Sequence, residues 1–600
     1  MLDIILDYLS SSLTTIQSVG LSSFIEVALD ILWPEDYGIT AIEQGYLDDY
    51  DFIVIGAGSA GSVVASRLSE IENWKILLLE AGEDPPMEAD IPAMFYLMQK
   101  TQFDWQYLTE SKTACRAIKD GCIWPRGKVL GGSSTINAMF YVRGNKLDYD
   151  LWAKEGNDGW DYESCLPYFK KSEGNLHEKL VNYENGRYHN ASGPLKIAHY
   201  SELDNTHKHI LAAAEERGHK FIDDLNADKH LGFSNCQFSY AYGLRQSTAR
   251  SFLIPAGKRS NLHIIKNGFV KKIIINDDNE AEGIEFDYQF KNIRHAMKVM
   301  AKKEVILSAG SINSPQMLML SGIGPSQQLN KFKIPIKMDS QHVGKNLFDH
   351  LYVNLWFTFK APTIFIDQEQ IIENSGIFTF PSQLVGFINT ANESGRPDIE
   401  TLFQFIPPNA IDLGMLMEGY KEEMKRPLIE ANRFNFLGLF FAILLHPKSH
   451  GSIELKKNDP YEHPFIYPNY LSHSDDMETL VRAVKDQISY VDTKTYQSLD
   501  LEFIKFDIEE CNPHEYGSDS YWRCYIKYMT RTIYHPVGTC KMGRNKTTSV
   551  VDHRLRVHGI QKLRVMDASI MATTISGHTN APAIMIGEKG ADLIKNDHLK

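Results

Sequence analysis

Two histidines near the carboxyl end of the chain carry the most specific chemical information in the sequence. His535 lies in Tyr-His-Pro-Val-Gly, and His578 lies in Ser-Gly-His-Thr-Asn. An imidazole suits proton removal at neutral pH because its unperturbed pKa is about 6.5. Two imidazoles together can take the proton of an alcohol and hold the oxyanion that develops. We therefore expect His535 to be the catalytic base and His578 to orient the hydroxyl group.

The other histidines need no chemical role. The chain has 21 of them, and an arbitrary histidine is usually a hydrogen-bonded residue of the surface or the core. We expect this structural role for His342, His350, His446 and His450.

A glycine-rich loop near the amino end predicts a bound dinucleotide. Gly56-Ala-Gly-Ser59-Ala-Gly61 follows the apolar run that starts at Tyr50 and precedes a segment with helical spacing of its apolar residues. A second apolar run ends at Glu80, where such a βαβ unit places an acid for a ribose hydroxyl group. The glycines allow the tight turn, the approach of the pyrophosphate and the close helix contact. This motif does not distinguish NAD from FAD.

Two further loops indicate that the ligand is long. Residues 127–137 form a second loop rich in glycine and hydroxyl groups, far from the first in the chain. A predicted strand over residues 304–308 leads into a third turn, at residues 309–315, and then into a helix. Backbone N–H groups at such strand-to-helix turns bind phosphates, so all three loops are candidates for one extended cofactor.

Composition limits the class of protein. A chain of 600 residues with 43% apolar and 23% charged residues can bury a large core in two or more domains. Its formal net charge of −14 disfavours nucleic acid or an anionic membrane as a partner, and we expect a small-molecule substrate. The apolar run at 436–445 is too short to span a membrane and predicts a core strand.

The amino terminus and the cysteines bear on the compartment. Residues 1–47 form a leader that is either a signal peptide without the usual basic start or an amphipathic helix. The close pairs Cys115/Cys122 and Cys511/Cys524 suit disulfides in an oxidising compartment, but the sequence leaves their oxidation state open. No cysteine or histidine spacing indicates a metal site. Secretion is the favoured localisation.

Long matches give the sequence a family resemblance. Residues 127–150 and 310–324 resemble the two signatures of the glucose-methanol-choline (GMC) flavoprotein oxidoreductases. The two cysteine pairs and the Trp-Pro-Glu-Asp-Tyr-Gly segment at 33–38 are similar to the insect glucose dehydrogenase-like branch. One difference is His578, because many relatives in that branch have Asn there.

The resemblance implies an α/β fold with mixed elements, in which a Rossmann-like FAD-binding domain is joined to a second, sheet-based substrate domain. The FAD domain is expected over 48–200, 245–347 and 531–600, and the substrate domain over 201–244 and 348–530. The residues expected to hold FAD without a covalent bond are Gly56, Gly58, Ser59, Gly61 and Glu80 on the ADP half, Gly131, Ser133 and Asn137 near the flavin, Val270 at the adenine, Asp567 at the pyrophosphate, and Asn580 and Pro582 at the start of a helix aimed at the pyrimidine ring.

The implied reaction is oxidation of an alcohol by hydride transfer to flavin N5, similar to a glucose dehydrogenase with a quinone-type acceptor. Three alternatives stay open on the same fold: an ecdysteroid oxidase or an aryl-alcohol oxidase that uses oxygen, and a hydroxynitrile lyase that keeps FAD without turning it over.

Overall fold

The computed structural model describes residues 49–110, 113–200, 205–290, 293–359, 383–391, 395–410 and 413–599. The expected leader at 1–47 lies outside these residues. Two seven-stranded sheets organise the described part of the chain. Their strands are β1 (Tyr50–Ile55), β2 (Ile76–Leu79), β3 (Gly232–Asn235), β4 (Leu262–Ile265), β5 (Gly268–Ile275), β6 (Ala281–Phe290), β7 (Ile293–Leu307), β8 (Leu351–Phe359), β9 (Leu384–Ile388), β10 (Ile399–Ile406), β11 (Phe436–Leu444), β12 (Glu502–Phe503), β13 (Thr530–Thr532) and β14 (Leu563–Val565).

The first sheet has a parallel part and an antiparallel part. Strands β4, β2, β1 and the second half of β7 run parallel in that order, and β14 joins β7 as a further parallel strand. The first half of β7 pairs antiparallel with β6, which pairs with β5. The carboxyl ends of the parallel strands therefore meet at one edge, where α/β proteins bind nucleotides. The predicted Rossmann-like sheet is confirmed.

Buried apolar residues explain why the parallel strands form. Ile53 and Val54 in β1 and Leu77 and Leu78 in β2 are fully buried. Parallel strands are covered on both faces, so consecutive residues can all be apolar and β-branched side chains are favoured. The consecutive apolar residues of β1 and β2 therefore explain why both strands lie in the interior of the sheet.

The second sheet is antiparallel, in the order β12, β8, β11, β10, β9, β3, with β13 paired to β8. The predicted core strand at 436–445 is observed as β11, at the centre of this sheet. Since β13 spans Thr530–Thr532, the expected domain boundary before residue 531 falls inside a strand of the second sheet.

Nine helices of at least eight residues lie in the described part of the chain. They are α1 (Gly61–Leu68), α2 (Lys146–Lys154), α3 (Tyr162–Ser172), α4 (Asn205–Glu216), α5 (Gly310–Leu320), α6 (Glu422–Asn432), α7 (Ser474–Ile488), α8 (Asp519–Met529) and α9 (Asn580–His598). Helix α9 packs against α1 and α3. Arg67 on α1 forms a two-pronged ion pair with the buried Glu588 on α9, with both N···O distances 2.8 Å. The last helix is thereby fixed beside the glycine loop.

Both cysteine pairs are disulfides. Cys115 is bonded to Cys122 and Cys511 to Cys524, each with a Cα–Cα distance of 5.5 Å. The other three cysteines are buried free thiols. Among the described residues, no helix combines the length and the apolar character that crossing a membrane requires.

Candidate active site

One continuous cavity reaches from the carboxyl edge of the parallel sheet to the face of the antiparallel sheet. Most of the residues expected to form the site line it: Gly56, Gly58, Ser59, Glu80, Ser133, Asn137, Val270, His535, Asp567, Asn580 and His578. Gly61, Gly131 and Pro582 do not line the cavity, although each is next to a residue that does. The structure therefore brings the two ends of the chain to one site.

The glycine loop leaves open space beside Gly58. Gly56 has a φ of +95°, which favours glycine, and a Cβ at Gly61 would lie 1.9 Å from the carbonyl oxygen of Gly56. Gly61 is thus needed for the packing of α1 on the loop rather than for the cavity. A Cβ at Gly58, by contrast, would meet no protein atom closer than the Cα of Gly132, 4.0 Å away. The absence of a side chain at Gly58 suits a ligand that approaches the backbone.

The second glycine loop touches the first. The N–H of Gly131 donates a 2.7 Å hydrogen bond to the carbonyl oxygen of Ala57. Gly132 has a φ of +52°, and a Cβ there would lie 2.7 Å from the Cα of Gly58. Only glycine allows this approach of two backbones, so Gly131 and Gly132 join the loops that the sequence shows as separate motifs.

Glu80 is held at the end of β2 by the glycine loop itself. Its carboxylate oxygens accept hydrogen bonds from the N–H groups of Ala57 and Gly82, both 2.9 Å. Burial raises the pKa of Glu80 to about 7, against the opposite effect of these bonds. The carboxylate thus lies between the first loop and the adjoining strand end, where Val270 on β5 also faces the cavity.

Asp567 and Asn580 connect other strand and helix ends at the same cavity. Asp567 follows β14 and accepts hydrogen bonds from the N–H of Gly310 at 2.8 Å and from Oγ of Ser314 at 2.6 Å, at the start of α5. Asn580 is the first residue of α9 and accepts a 2.7 Å hydrogen bond from Oγ of Ser59. Pro582 lies in the first turn of α9, where its missing N–H costs no helical hydrogen bond.

Sequence reasoning missed the residue that holds Asn137. Arg245 is fully buried, and its Nη1 donates to the backbone oxygen of Asn137 at 2.6 Å and to its Oδ1 at 2.8 Å. Burial lowers the pKa of Arg245 to about 9. Arg245 lies outside every motif, so only the fold relates it to Asn137.

His535 and His578 line the same cavity and face each other. Their ring centroids are 4.9 Å apart, and the ring planes are nearly perpendicular, at 85°. Both side chains are largely buried, with 8% and 6% of their surface exposed. The ring of His578 also stacks on Phe140, with centroids 4.7 Å apart and an interplanar angle of 10°. Two imidazoles in this arrangement can contact one small polar group between them.

Asp349 fixes the backbone of His535. Its Oδ1 accepts a 2.8 Å hydrogen bond from the N–H of His535, while its Oδ2 accepts from Thr532 at 2.6 Å and from Tyr470 at 2.5 Å. Burial raises the pKa of Asp349 to about 6. Asp349 lies two residues before the buried strand β8, and a carboxylate in that position is the signal by which the sequence could have revealed it.

The prediction that His350 is an ordinary structural residue is incomplete. Its Nδ1 lies 2.9 Å from Nδ1 of His535, and the side chain is fully buried behind the base. Burial, with the nearby His578, lowers the pKa of His350 to about 3. Burial, His578 and His350 also hold the pKa of His535 well below its ordinary value. His350 contacts the candidate base because β8 begins directly behind the loop that carries His535.

Glu400 is the buried partner of the other imidazole. Its Oε1 lies 2.8 Å from Nε2 of His578, and the side chain is fully buried on β10. Glu400 is the one carboxylate of this strand, in which most residues are apolar, and this is the signal that sequence reasoning overlooked. On the chain segment before His578, the N–H of Ser576 donates to Asp148 at 2.6 Å, which holds that segment against α2.

These features fit FAD. Gly58 and Gly132 provide an open backbone cradle on the cavity, the acids Glu80 and Asp567 lie at neighbouring strand ends, and the histidine pair lines the same cavity. A nucleotide at the strand ends with a redox-active ring near the histidines accounts for a cavity that is lined by both sheets. The fold and the cavity thus define the class of FAD-dependent oxidoreductases that act on alcohols.

Comparisons with known proteins give the family. The GMC oxidoreductase models match residues 50–352 and 447–587. The chain is 41% identical over 562 residues to glucose dehydrogenase (FAD, quinone) of Drosophila melanogaster, with 91% of this chain and 87% of the relative covered. It is 35% identical over 580 residues to ecdysone oxidase of Bombyx mori, with 94% and 84% covered. Pyridoxine 4-oxidase from Mesorbium loti has a similar structure, with a TM-score of 0.77, 25% identity, and 92% and 100% covered.

The chain belongs to the GMC oxidoreductase family. It is an FAD-dependent enzyme that oxidises the CH–OH group of a donor, as the resemblance predicted.

Proposed function

We propose that His535 removes the hydroxyl proton of the alcohol while His578 orients the same hydroxyl group. The observation that carries this proposal is the 4.9 Å approach of the two rings on a cavity that also contains the glycine cradle. The depressed pKa of His535 supports it, because a neutral imidazole has a lone pair available at neutral pH. Hydroxyl proton loss promotes hydride loss from the adjoining carbon.

The two imidazoles have different partners, which supports their different roles. His578 is held by Glu400 and stacked on Phe140, so its ring has little freedom to rotate. A fixed ring suits the orientation of a hydroxyl group and the stabilisation of a developing oxyanion. Ile533 and Phe441 add apolar side chains to the wall of the same cavity.

FAD supplies the hydride acceptor when bound. We propose that the ADP half is held by Gly56, Gly58, Ser59, Glu80 and Val270, the pyrophosphate by Asp567, and the flavin half by Ser133, Asn137 and Asn580. Gly61, Gly131 and Pro582 do not line the cavity and act on FAD through the packing of the loops and the helix that carry these residues. The start of α9 carries a partial positive charge and free N–H groups, which stabilise negative charge nearby. Asn580 and Ala583, in the first turn of α9, both line the cavity.

We propose a division into domains that follows the two sheets. The cofactor domain comprises 48–200, 245–347 and the residues after β13, and the substrate domain comprises 201–244 and 348 to the end of β13. All strands of the parallel sheet fall in the first set, and β13 pairs with the second sheet. The predicted leader at residues 1–47 lies outside the described residues and is not part of this division.

The proposed substrate is a sugar of the glucose type, with a quinone-type acceptor. The 41% identity to glucose dehydrogenase (FAD, quinone) of Drosophila melanogaster supports this choice. A second candidate is an apolar ring alcohol oxidised with oxygen, as in an ecdysone oxidase. The apolar wall of the cavity favours this candidate: it includes Phe140, Leu402, Leu439 and Phe441.

We further propose that the protein is exported. Its two disulfides form and persist in oxidising compartments and are rare in the cytosol.

An alcohol panel read by flavin absorbance tests the proposal. Without oxygen, glucose or a ring alcohol should bleach the flavin band of the purified enzyme. Admission of air or of a quinone then separates an oxidase from a dehydrogenase, because only the effective acceptor restores the band. A flavin that no alcohol reduces, while a cyanohydrin is cleaved, would refute the redox function in favour of a lyase.

A further inference from the structure

His350 occupies an unusual place behind the candidate base. It does not line the cavity, and none of its surface is exposed, but its Nδ1 lies 2.9 Å from Nδ1 of His535. Because Nδ1 of His535 faces His350, Nε2 is the nitrogen that His535 presents to the cavity. The two buried rings are therefore linked at the nitrogens that do not meet the substrate.

Two neutral imidazoles at this distance share one proton. Both rings are neutral near pH 7, because burial lowers the pKa of each. If Nδ1–H of His535 donates, its Nε2 keeps a lone pair and can accept a proton. If Nδ1–H of His350 donates instead, Nε2 of His535 carries the hydrogen and cannot act as a base. Only the first arrangement is compatible with alcohol oxidation.

In the first arrangement His350 carries its own proton on Nε2, which makes no hydrogen bond within the described residues. The backbone carbonyl groups of Leu445 and Ile575 raise the pKa of His350, against the larger opposite effect of burial. The 2.9 Å contact between the two Nδ1 atoms allows one shared proton, and the need for a lone pair on Nε2 of His535 selects the first arrangement.

We propose that His350 is a positioning residue whose Nδ1 accepts the Nδ1–H of His535 and so keeps Nε2 of His535 unprotonated toward the alcohol. This inference rests on the proposed role of His535 as the base. Once His535 has taken the hydroxyl proton, the same hydrogen bond is charge-assisted and becomes stronger. The contact thus both selects the reactive tautomer and stabilises the protonated ring.

Two substitutions of similar size separate the proposal from a packing role. His350→Asn places a carbonyl oxygen near the position of Nδ1 and can still accept from His535. His350→Gln places it near the position of Nε2 and leaves Nδ1–H of His535 without an acceptor. We expect the limiting rate of anaerobic flavin reduction to stay within about tenfold of wild type for Asn, and to fall on the order of 10² for Gln, with FAD content unchanged in both.

A second readout does not depend on turnover. Diethyl pyrocarbonate attacks an unprotonated imidazole nitrogen, so its reaction with His535 can be followed by mass spectrometry of the oxidised enzyme. We expect His535 to react in the wild type and in His350→Asn, and more slowly in His350→Gln. The matched control is His230→Asn, since His230 is also a buried neutral imidazole, with no hydrogen bond among the described residues.

The outcomes decide between the alternatives. Equal rates for the Asn and Gln variants, whether both high or both low, would overturn the positioning role. If the Gln variant does not fold, a rate for the Asn variant more than about a hundredfold below wild type would overturn it. A normal rate for His535→Ala would instead refute the proposed base. If flavin reduction is slow in His535→Ala but has the wild-type rate in both His350 variants, only the proposed role of His350 is refuted.

Discussion

The hydroxyl group of Ser59 donates a 2.7 Å hydrogen bond to Oδ1 of Asn580, across 521 positions of the chain. Ser59 lies in the loop after β1, and Asn580 begins α9 two residues after His578. The bond therefore fixes the position of the histidine segment relative to the glycine loop. A ligand held by that loop meets the imidazoles in a defined geometry.

Gly58→Ala should lower FAD binding without destabilising the apoprotein. The added Cβ would meet no protein atom within 4.0 Å and would instead enter the cavity. We expect a lower ratio of flavin to protein after gel filtration and an unchanged melting temperature of the apoprotein. Gly395→Ala is the control, because its Cβ also meets nothing nearby but lies on an exposed loop. If Gly58→Ala bound as much FAD as the wild type, the proposal that FAD lies against the backbone at Gly58 would be wrong.

Glu80→Gln should change the pH dependence of apoprotein stability. Burial raises the pKa of Glu80 from 4.5 to about 7. Between these two pKa values the native state binds a proton that the unfolded chain has released. The contribution of Glu80 to stability therefore falls as the pH rises from about 4.5 to about 7. The variant lacks this loss, so its melting temperature relative to wild type should increase between about pH 5 and pH 8. A difference in melting temperature between variant and wild type that does not change with pH would contradict the raised pKa of Glu80.

Glu400→Gln should slow the reaction without releasing FAD. The substitution removes the charge that faces Nε2 of His578 but keeps a side chain of the same size. We expect the limiting rate of anaerobic flavin reduction to fall about tenfold, because His578 is less able to stabilise the oxyanion. Glu418→Gln is the control, since Glu418 also lines the cavity but pairs with the exposed Lys100. Equal effects of both variants would contradict a specific role for Glu400.

Removal of the disulfide between Cys511 and Cys524 should destabilise the enzyme. Replacement of both residues by Ser frees a loop closed over 13 positions. The chain-entropy model gives a loss of about 3 kcal/mol in the free energy of unfolding. The measurement is the melting temperature with and without reductant. Reductant should lower the melting temperature of the wild type more than that of the variant, and an equal effect on both would contradict the prediction.

Local patterns predicted the elements that carry the cofactor site. The strand, loop, helix and strand from Tyr50 to Leu79 follow one another within thirty positions, so spacing and apolar periodicity were sufficient to place Gly58 and Glu80. The strand at 436–445 was also recognisable from its own composition. The short motifs around His535 and His578 marked both histidines as candidates for the reaction.

The partners of the histidines could not be predicted in the same way. Asp349 and His350 directly precede β8 and Glu400 lies on β10, and both strands pair with β11. This pairing joins segments that are far apart in the chain, so no local pattern shows which side chains reach the histidines. Gly61 and Gly131 were predicted at the cofactor from their motifs, but neither residue lines the cavity. A Cβ at Gly61 would meet the carbonyl oxygen of Gly56, and a Cβ at Gly131 would meet Oγ1 of Thr135.

The most direct test of the account compares anaerobic flavin reduction by alcohol in the wild type and in His535→Ala. Both proteins should contain FAD in equal amounts, because His535 does not belong to the glycine loops that form the cradle. The account predicts that the variant is reduced more slowly on the order of 10² or more, since the alcohol then has no base. Reduction at the wild-type rate in a fully loaded variant would contradict it.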